Sequence, residues 1–258
     1  LLWVYEGQTQ FWRYVLAARS GLWTKQQALD AYADLAALYS TQAGRQWRPL
    51  TDTTLDPIIA NRAPIPWRNY QRSEDYYSEG LMLWLDADSL IRERTKGQNS
   101  LDDFARAFFG INDGSFVPVT YTFDDVVKAL NDVMPYDWAG FLRARVDQIA
   151  KAPLDGITRG GYRLIYTDKP SERDQSSGSQ RKQDSFAYSI GLLLNNRGRV
   201  LDVTWEGPAF KAGLTLGSEI IAVNGVEYDA DELKDAITDA KTDKAPIQLL
   251  VKNNVAYR

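Results

Sequence analysis

Residues 186–194 read Phe-Ala-Tyr-Ser-Ile-Gly-Leu-Leu-Leu, a nearly continuous apolar run interrupted by one glycine. It is too short for an independent helix and fits a buried strand. Periodicity leaves two readings open: a strand with a free edge, or a core strand whose edges are filled by the protein's own chain. Around it, residues 198–205 (GRVLDVTW), 218–225 (SEIIAVNG) and 245–253 (APIQLLVKN) read as further short strands between glycine-bearing turns. Residues 230–240 (ADELKDAITDA) read as one helix. Upstream, residues 160–167 alternate like a strand, and residues 168–185 are polar, Ser/Gln-rich and without apolar anchors, which predicts a mobile loop.

Residues 1–153 carry the other pattern. Thr24 and Gln27 form a capping box, and Ala28, Leu29, Tyr32, Leu35, Ala36 and Tyr39 repeat at helical spacing, with Gly44 positioned to close that helix. Ser100, Thr122 and Asp137 each precede a further amphipathic run with N-cap chemistry. Ser73 to Gly97 predicts a long helix with Tyr77, Leu81, Trp84 and Ile91 on its buried stripe, inside which Asp86 and Asp88 read as buried partners of Arg92 or Arg94. Between these helices, Pro49, Pro57, Pro64 and Pro66 exclude regular helix. The sequence therefore predicts a multi-domain chain: an all-α unit over 1–153 and a β-rich domain over 154–258.

Composition narrows the chemistry. The 258 residues suffice for two cores, being 44% hydrophobic, and the net charge is −4 with basic residues scattered, which argues against nucleic acid as a partner. No apolar run approaches the roughly 20 residues of a membrane span. With no cysteine there is no disulfide framework or thiolate nucleophile. With no histidine, a Ser-His-Asp triad and a complete His-ligated zinc site are excluded within these residues. The chain lacks an initiator Met and a signal peptide, and is expected to start inside a longer protein.

The order of strands, a short helix at Gly207-Pro208-Ala209 and the groove helix resembles a PDZ domain over about residues 162–254. Ser189-Ile190-Gly191-Leu192 stands at the carboxylate-binding loop, Glu206-Gly207-Pro208-Ala209 and Ala212-Gly213-Leu214 follow, and Ile220-Ile221-Ala222-Val223-Asn224-Gly225 completes the match. The resemblance implies that a peptide or protein terminus adds as a strand beside residues 190–194, with the N–H groups of Ile190, Gly191 and Leu192 facing its carboxylate and Leu193 and Leu233 lining the groove. Where the best-known animal pattern has a histidine at the start of the groove helix, this chain has Asp231, Glu232 and Leu233, so ligand class does not transfer.

At the other end, Leu2-Trp3-Val4-Tyr5-Glu6-Gly7-Gln8-Thr9 resembles a motif of the PDZ-containing glycyl aminopeptidases, zinc metallopeptidases of the gluzincin type. The resemblance implies that Glu6 is the third zinc ligand. In Tyr76-Tyr77-Ser78-Glu79-Gly80 it implies an oxyanion-stabilising hydroxyl on Tyr77, with Tyr76 as the fallback; read alone, Tyr77 fits equally a core tyrosine tied to a neighbour. The H-E-x-x-H helix that supplies the other zinc ligands and the base is absent, so the zinc site is incomplete and the fragment alone is expected to be inactive. The reaction implied for the longer protein is release of small N-terminal residues, Gly or Ala. Export in a bacterium is favoured slightly over the cytoplasm. The rival reading is a non-catalytic PDZ-type peptide-binding protein on a helical scaffold.

Overall fold

The structure, a computed structural model, describes residues 1–56, 66–149, 151–254 and 256–257. In chain order the helices are α1 (Leu2–Arg19), α2 (Lys25–Thr41), α3 (Arg68–Gln71), α4 (Ser78–Arg94), α5 (Leu101–Phe108), α6 (Phe123–Val133), α7 (Trp138–Val146), α8 (Asp155–Arg159) and α9 (Glu172–Arg181). Strands β1 (Gln183–Phe186), β2 (Leu192–Asn195) and β3 (Val200–Val203) follow, then α10 (Pro208–Lys211), β4 (Glu219–Val223), β5 (Val226–Glu227), α11 (Ala230–Asp243), β6 (Leu249–Asn253) and β7 (Ala256–Tyr257). The chain divides into two compact units, Leu1–Asn61 with Arg72–Ile165, and Arg62–Gln71 with Tyr166–Arg258. No helix among the described residues is long and apolar enough to cross a membrane.

The helical unit is organised on α1 and α4. Trp3, Val4 and Phe11 from α1 and Leu81, Met82, Trp84, Ala87 and Ile91 from α4 are all buried. Burying each large side chain contributes about 2–3 kcal/mol. Trp84 stacks on Trp3 with ring centroids 6.0 Å apart and donates its indole N–H to the Trp3 carbonyl at 3.1 Å. The predicted capping box of α2 forms reciprocally, Gln27 N to Thr24 Oγ1 at 3.2 Å and Thr24 N to Gln27 Oε1 at 3.0 Å. Ser100, Thr122 and Asp137 cap α5, α6 and α7.

Several expectations give way to tertiary structure. The helical unit extends to Ile165 and not to residue 153, because Gly156 of α8 lies so close to α4 that a Cβ there would sit 2.7 Å from the Asp86 amide nitrogen. Asp86, fully buried, pairs with Arg145 and Arg159, not with Arg92 or Arg94, whereas Asp88 does pair with Arg92 at 2.7 Å. Helix α2 stops at Thr41, and Gly44 lies in a separate 3-10 turn. The long helix starts at Ser78 with Tyr77, not Ser73, at its N-cap, since Arg72 (φ 56°) and Glu74 (φ 53°) turn the chain left-handed just before it. Of the proline-bearing segment, residues 57–65 lie outside the described residues.

The second unit holds two antiparallel sheets, β1-β2-β3 and β5-β4-β6-β7. Leu192, Leu194, Val200, Val203, Ile220, Val223 and Leu233 form its core. Helix α3 belongs to this unit although its sequence falls in the helical half: Tyr70 stacks on Trp205 at 4.2 Å, and Trp67 meets Trp205 and Phe210 edge-on. The stretch expected as a mobile loop contains α9, whose N-cap Ser171 accepts from Asp174 N at 3.1 Å and whose first turn holds Glu172 and Asp174. These local terms favour a helix that buries no residue, which is why apolar periodicity gave no signal for it. Residues 162–166, expected as a strand, have no regular structure.

Candidate functional site

Glu6 lies in the second turn of α1, half-buried, one residue before Gly7. Tyr76 and Tyr77 lie 70 and 71 positions later, at the entry to α4, one turn before Gly80. The two glycines bring them together: a Cβ built on Gly80 would lie 2.9 Å from the Gly7 Cα, so only glycine at both positions permits this approach. The Tyr77 hydroxyl donates to the Glu6 carboxylate, and the Tyr76 hydroxyl donates to Tyr77, giving a relay Tyr76–Tyr77–Glu6. The rings lie 4.7 Å apart. Burial, reinforced by the Glu6 and Glu74 charges, raises the Tyr77 hydroxyl above the usual phenol value and pushes Tyr76 up to about 12. Both are therefore proton donors at neutral pH.

The turn carrying these tyrosines is fixed by a buried charge network that the sequence reading missed. Arg72 Nε donates to Asp75 at 2.6 Å, Arg72 Nη2 to Glu79 at 2.5 Å, and Arg72 Nη1 to the Arg48 carbonyl at 2.6 Å. Arg45 closes on Glu79 from the other side, and Gln42 donates to Asp75 at 3.1 Å. Arg48 Nη1 returns a bond to the Arg72 carbonyl at 3.0 Å. Burial pushes the Glu79 carboxyl up against the opposing pull of Arg72 and Arg45. The one legible sign was the repeated Glu-Gly dipeptide, Glu6-Gly7 and Glu79-Gly80, whose glycines meet.

A metal needs more donors than this. Among the described residues no group of three or more His, Cys, Asp or Glu side chains could hold one. Glu6 fits one position of a zinc ligand set by chemistry and accessibility; the chain by itself does not fit the whole set.

The expected peptide groove departs from expectation. The sheet order places β2 between β1 and β3, so the edge beside Leu192, Leu193 and Leu194 is filled by the chain's own β1. The N–H groups of Ile190 and Gly191 do not await a carboxylate: they donate to the Phe186 carbonyl at 3.1 and 2.9 Å, as does Ser189 N at 3.2 Å. Leu192 and Leu233 are fully buried in the core. Of the two readings of residues 189–194, the filled strand is the one observed.

Residues 1–83 match the sequence model of the M61 glycyl aminopeptidase family, a stretch that includes Glu6, Tyr76 and Tyr77. Comparison with curated protein sequences gives no match. Among solved structures, an aminopeptidase N family protein from Idiomarina loihiensis is similar in fold, with a TM-score of 0.76 at 18% identity, covering 100% of this chain. The chain spans 44% of that protein's length. At this identity the likeness is one of fold, and the peptidase resemblance in sequence lies in the first third of the chain.

Proposed function

We propose that the helical unit is part of the catalytic domain of a zinc aminopeptidase that releases small N-terminal residues such as Gly or Ala, with Glu6 as a metal ligand and Tyr77 as the donor to the oxyanion. The observation that carries this reading is the hydrogen bond between Tyr77 and Glu6, residues separated by 71 positions and joined through the Gly7–Gly80 contact. The family match over residues 1–83 supports it. Zinc would supply the Lewis acid that polarises the scissile carbonyl. Its remaining ligands and the general base would come from residues outside this chain, since the sequence has no histidine.

The chain's own residues have defined tasks in this reading. Glu6 offers a carboxylate whose hydrogen-bond partner is the Tyr77 phenol. Tyr77 stays protonated because its hydroxyl is raised, and donates where negative charge develops on the carbonyl oxygen. Tyr76 donates to Tyr77 and so holds its oxygen in line. Arg72 and Glu79 clamp the turn from behind, fixing where both hydroxyls point. The β unit is read as a PDZ-type module that takes peptide or protein termini; its order of elements supports that role.

The experiment is hydrolysis of glycyl-p-nitroanilide by the natural chain containing these residues, comparing wild type with Tyr77→Phe. A loss of kcat of about 10²–10³ with little change in bound zinc fits an oxyanion donor. Full activity in Tyr77→Phe removes the assignment.

A further inference from the structure

The chain leaves the β unit and re-enters the helical unit across a single peptide bond, Gln71–Arg72. On one side of that bond, α3 sits in an aromatic cluster of the β unit. Tyr70 stacks on Trp205 at 4.2 Å with the ring planes 25° apart, and Trp67 meets Trp205 and Phe210 edge-on at 5.7 and 5.6 Å. Trp205 in turn packs on Phe210 at 4.6 Å. A helix of one turn is far too short to persist by itself, so these ring contacts are what hold it. Gln71 closes the turn, donating its backbone N–H to the Trp67 carbonyl at 2.9 Å and its side-chain amide to the Pro66 carbonyl at 2.8 Å.

On the other side, Arg72 is 1% exposed and divides its guanidinium among Asp75, Glu79 and the Arg48 carbonyl. Trp67 (φ 59°) and Arg72 (φ 56°), which flank α3, both lie in the left-handed region, where bulky residues stay only if their surroundings hold them. The Asp75 carbonyl accepts from Glu79 N at 2.8 Å and the Tyr77 carbonyl from Leu81 N at 3.0 Å. The turn bearing Tyr76 and Tyr77 is thus built on the residues that Arg72 grips.

Consecutive Cα atoms across a trans peptide stay about 3.8 Å apart, so a shift of Gln71 beyond the reach of one φ/ψ pair moves Arg72 with it. Arg72 is the cation of two buried carboxylates, and its displacement leaves Asp75 without its arginine and Glu79 with only Arg45. The position of α3 on the β unit is in this way passed to the tyrosine turn.

We propose that Trp67, Tyr70, Trp205 and Phe210 are positioning residues for the Tyr77 hydroxyl, acting through α3 and Arg72. This rests on the reading of Tyr77 as the donor to the oxyanion. The β unit takes part in the reaction of the helical unit by fixing where the tyrosine turn begins.

The test uses the natural chain containing these residues as wild type, Trp205→Ala and Trp205→Phe, read by glycyl-p-nitroanilide hydrolysis and by amide hydrogen exchange. In Trp205→Ala, kcat falls about tenfold or more while KM stays within about twofold, because a small displacement of a group at the reacting centre slows the reaction that much. Exchange speeds up at the Glu79 and Leu81 amides, while the Met134 amide, bonded to the Leu130 carbonyl at 2.9 Å in the same unit, keeps its rate. Trp205→Phe keeps a ring against Tyr70 and restores most of both. Wild-type kcat, or wild-type exchange at those two amides, in a folded Trp205→Ala protein overturns the proposal. Equal acceleration at Met134 also overturns it, since that marks a general loss of stability. An inactive wild type removes the peptidase reading instead, and exchange at Glu79 and Leu81 then decides whether the cluster holds the turn. If Trp205→Ala fails to fold, Tyr70→Ala takes its place under the same readouts.

Discussion

Gly7 and Gly80 meet where α1 and α4 cross, with backbone so close that a side-chain carbon on Gly80 would stand 2.9 Å from the Gly7 Cα. The contact sets the distance between the elements that carry Glu6 and Tyr77. Neither helix can accommodate a methyl group there without moving the other.

Gly80→Ala is accordingly expected to cost about 2–3 kcal/mol, lowering the melting temperature by roughly 4–12 °C. Thermal unfolding followed by circular dichroism checks the stability. The near-ultraviolet spectrum should also change, since Trp3 and Trp84 stack across the same crossing.

Arg72→Met removes the cation shared by Asp75 and Glu79 in a buried site and should destabilise by about 3–5 kcal/mol. Urea unfolding of Arg72→Met, Glu79→Gln and the double variant tests the coupling. The double variant should cost clearly less than the sum, because each single change strands the other's charge or its partner. Strict additivity would contradict a shared network.

The Arg19–Asp102 pair on the surface gives a pH signature. The hydrogen bond and charge of Arg19 hold the Asp102 carboxyl down at about 2, below its usual 3.8. A depressed carboxylate adds stability above its unfolded value and loses it as pH falls through the folded one. Asp102→Asn should therefore be less stable than wild type by on the order of 1 kcal/mol above pH about 4, with the two converging near pH about 2. Melting temperatures measured from pH about 6 downward read this directly.

Tyr76→Phe should preserve the fold and reduce activity of the natural chain by less than Tyr77→Phe does, since Tyr76 acts by donating to Tyr77. The comparison of kcat between the two variants checks the order of the relay. A larger loss in Tyr76→Phe would reverse the roles.

Much of the helical unit could be read from the sequence because its signals are local. Thr24, Ser100, Thr122 and Asp137 cap helices through bonds to residues two or three positions away. Glu6 and Tyr77 are singled out by a motif resemblance, and no spacing rule reveals that they meet. The sequence does not show the partners of Asp86, because Arg145 and Arg159 are distant along the chain and reach it only through the packing of α7 and α8. Arg72 and Glu74 turn the chain left-handed ahead of the helix, and Arg72 there pairs with Asp75 and Glu79, a tertiary gain that overrides the capping signal at Ser73. The apolar run at 189–194 could not reveal its neighbours, since a strand looks the same whether its edge is open or filled by β1.

The role proposed for Glu6 is that of a metal ligand placed beside an oxyanion donor. Its most direct test is bound zinc, measured by inductively coupled plasma mass spectrometry, together with glycyl-p-nitroanilide hydrolysis in the natural chain containing these residues, for wild type and Glu6→Gln. Zinc content and activity are expected to fall together, by about tenfold or more, in a Glu6→Gln protein that remains folded. A folded Glu6→Gln protein that keeps both its zinc and its activity would contradict it.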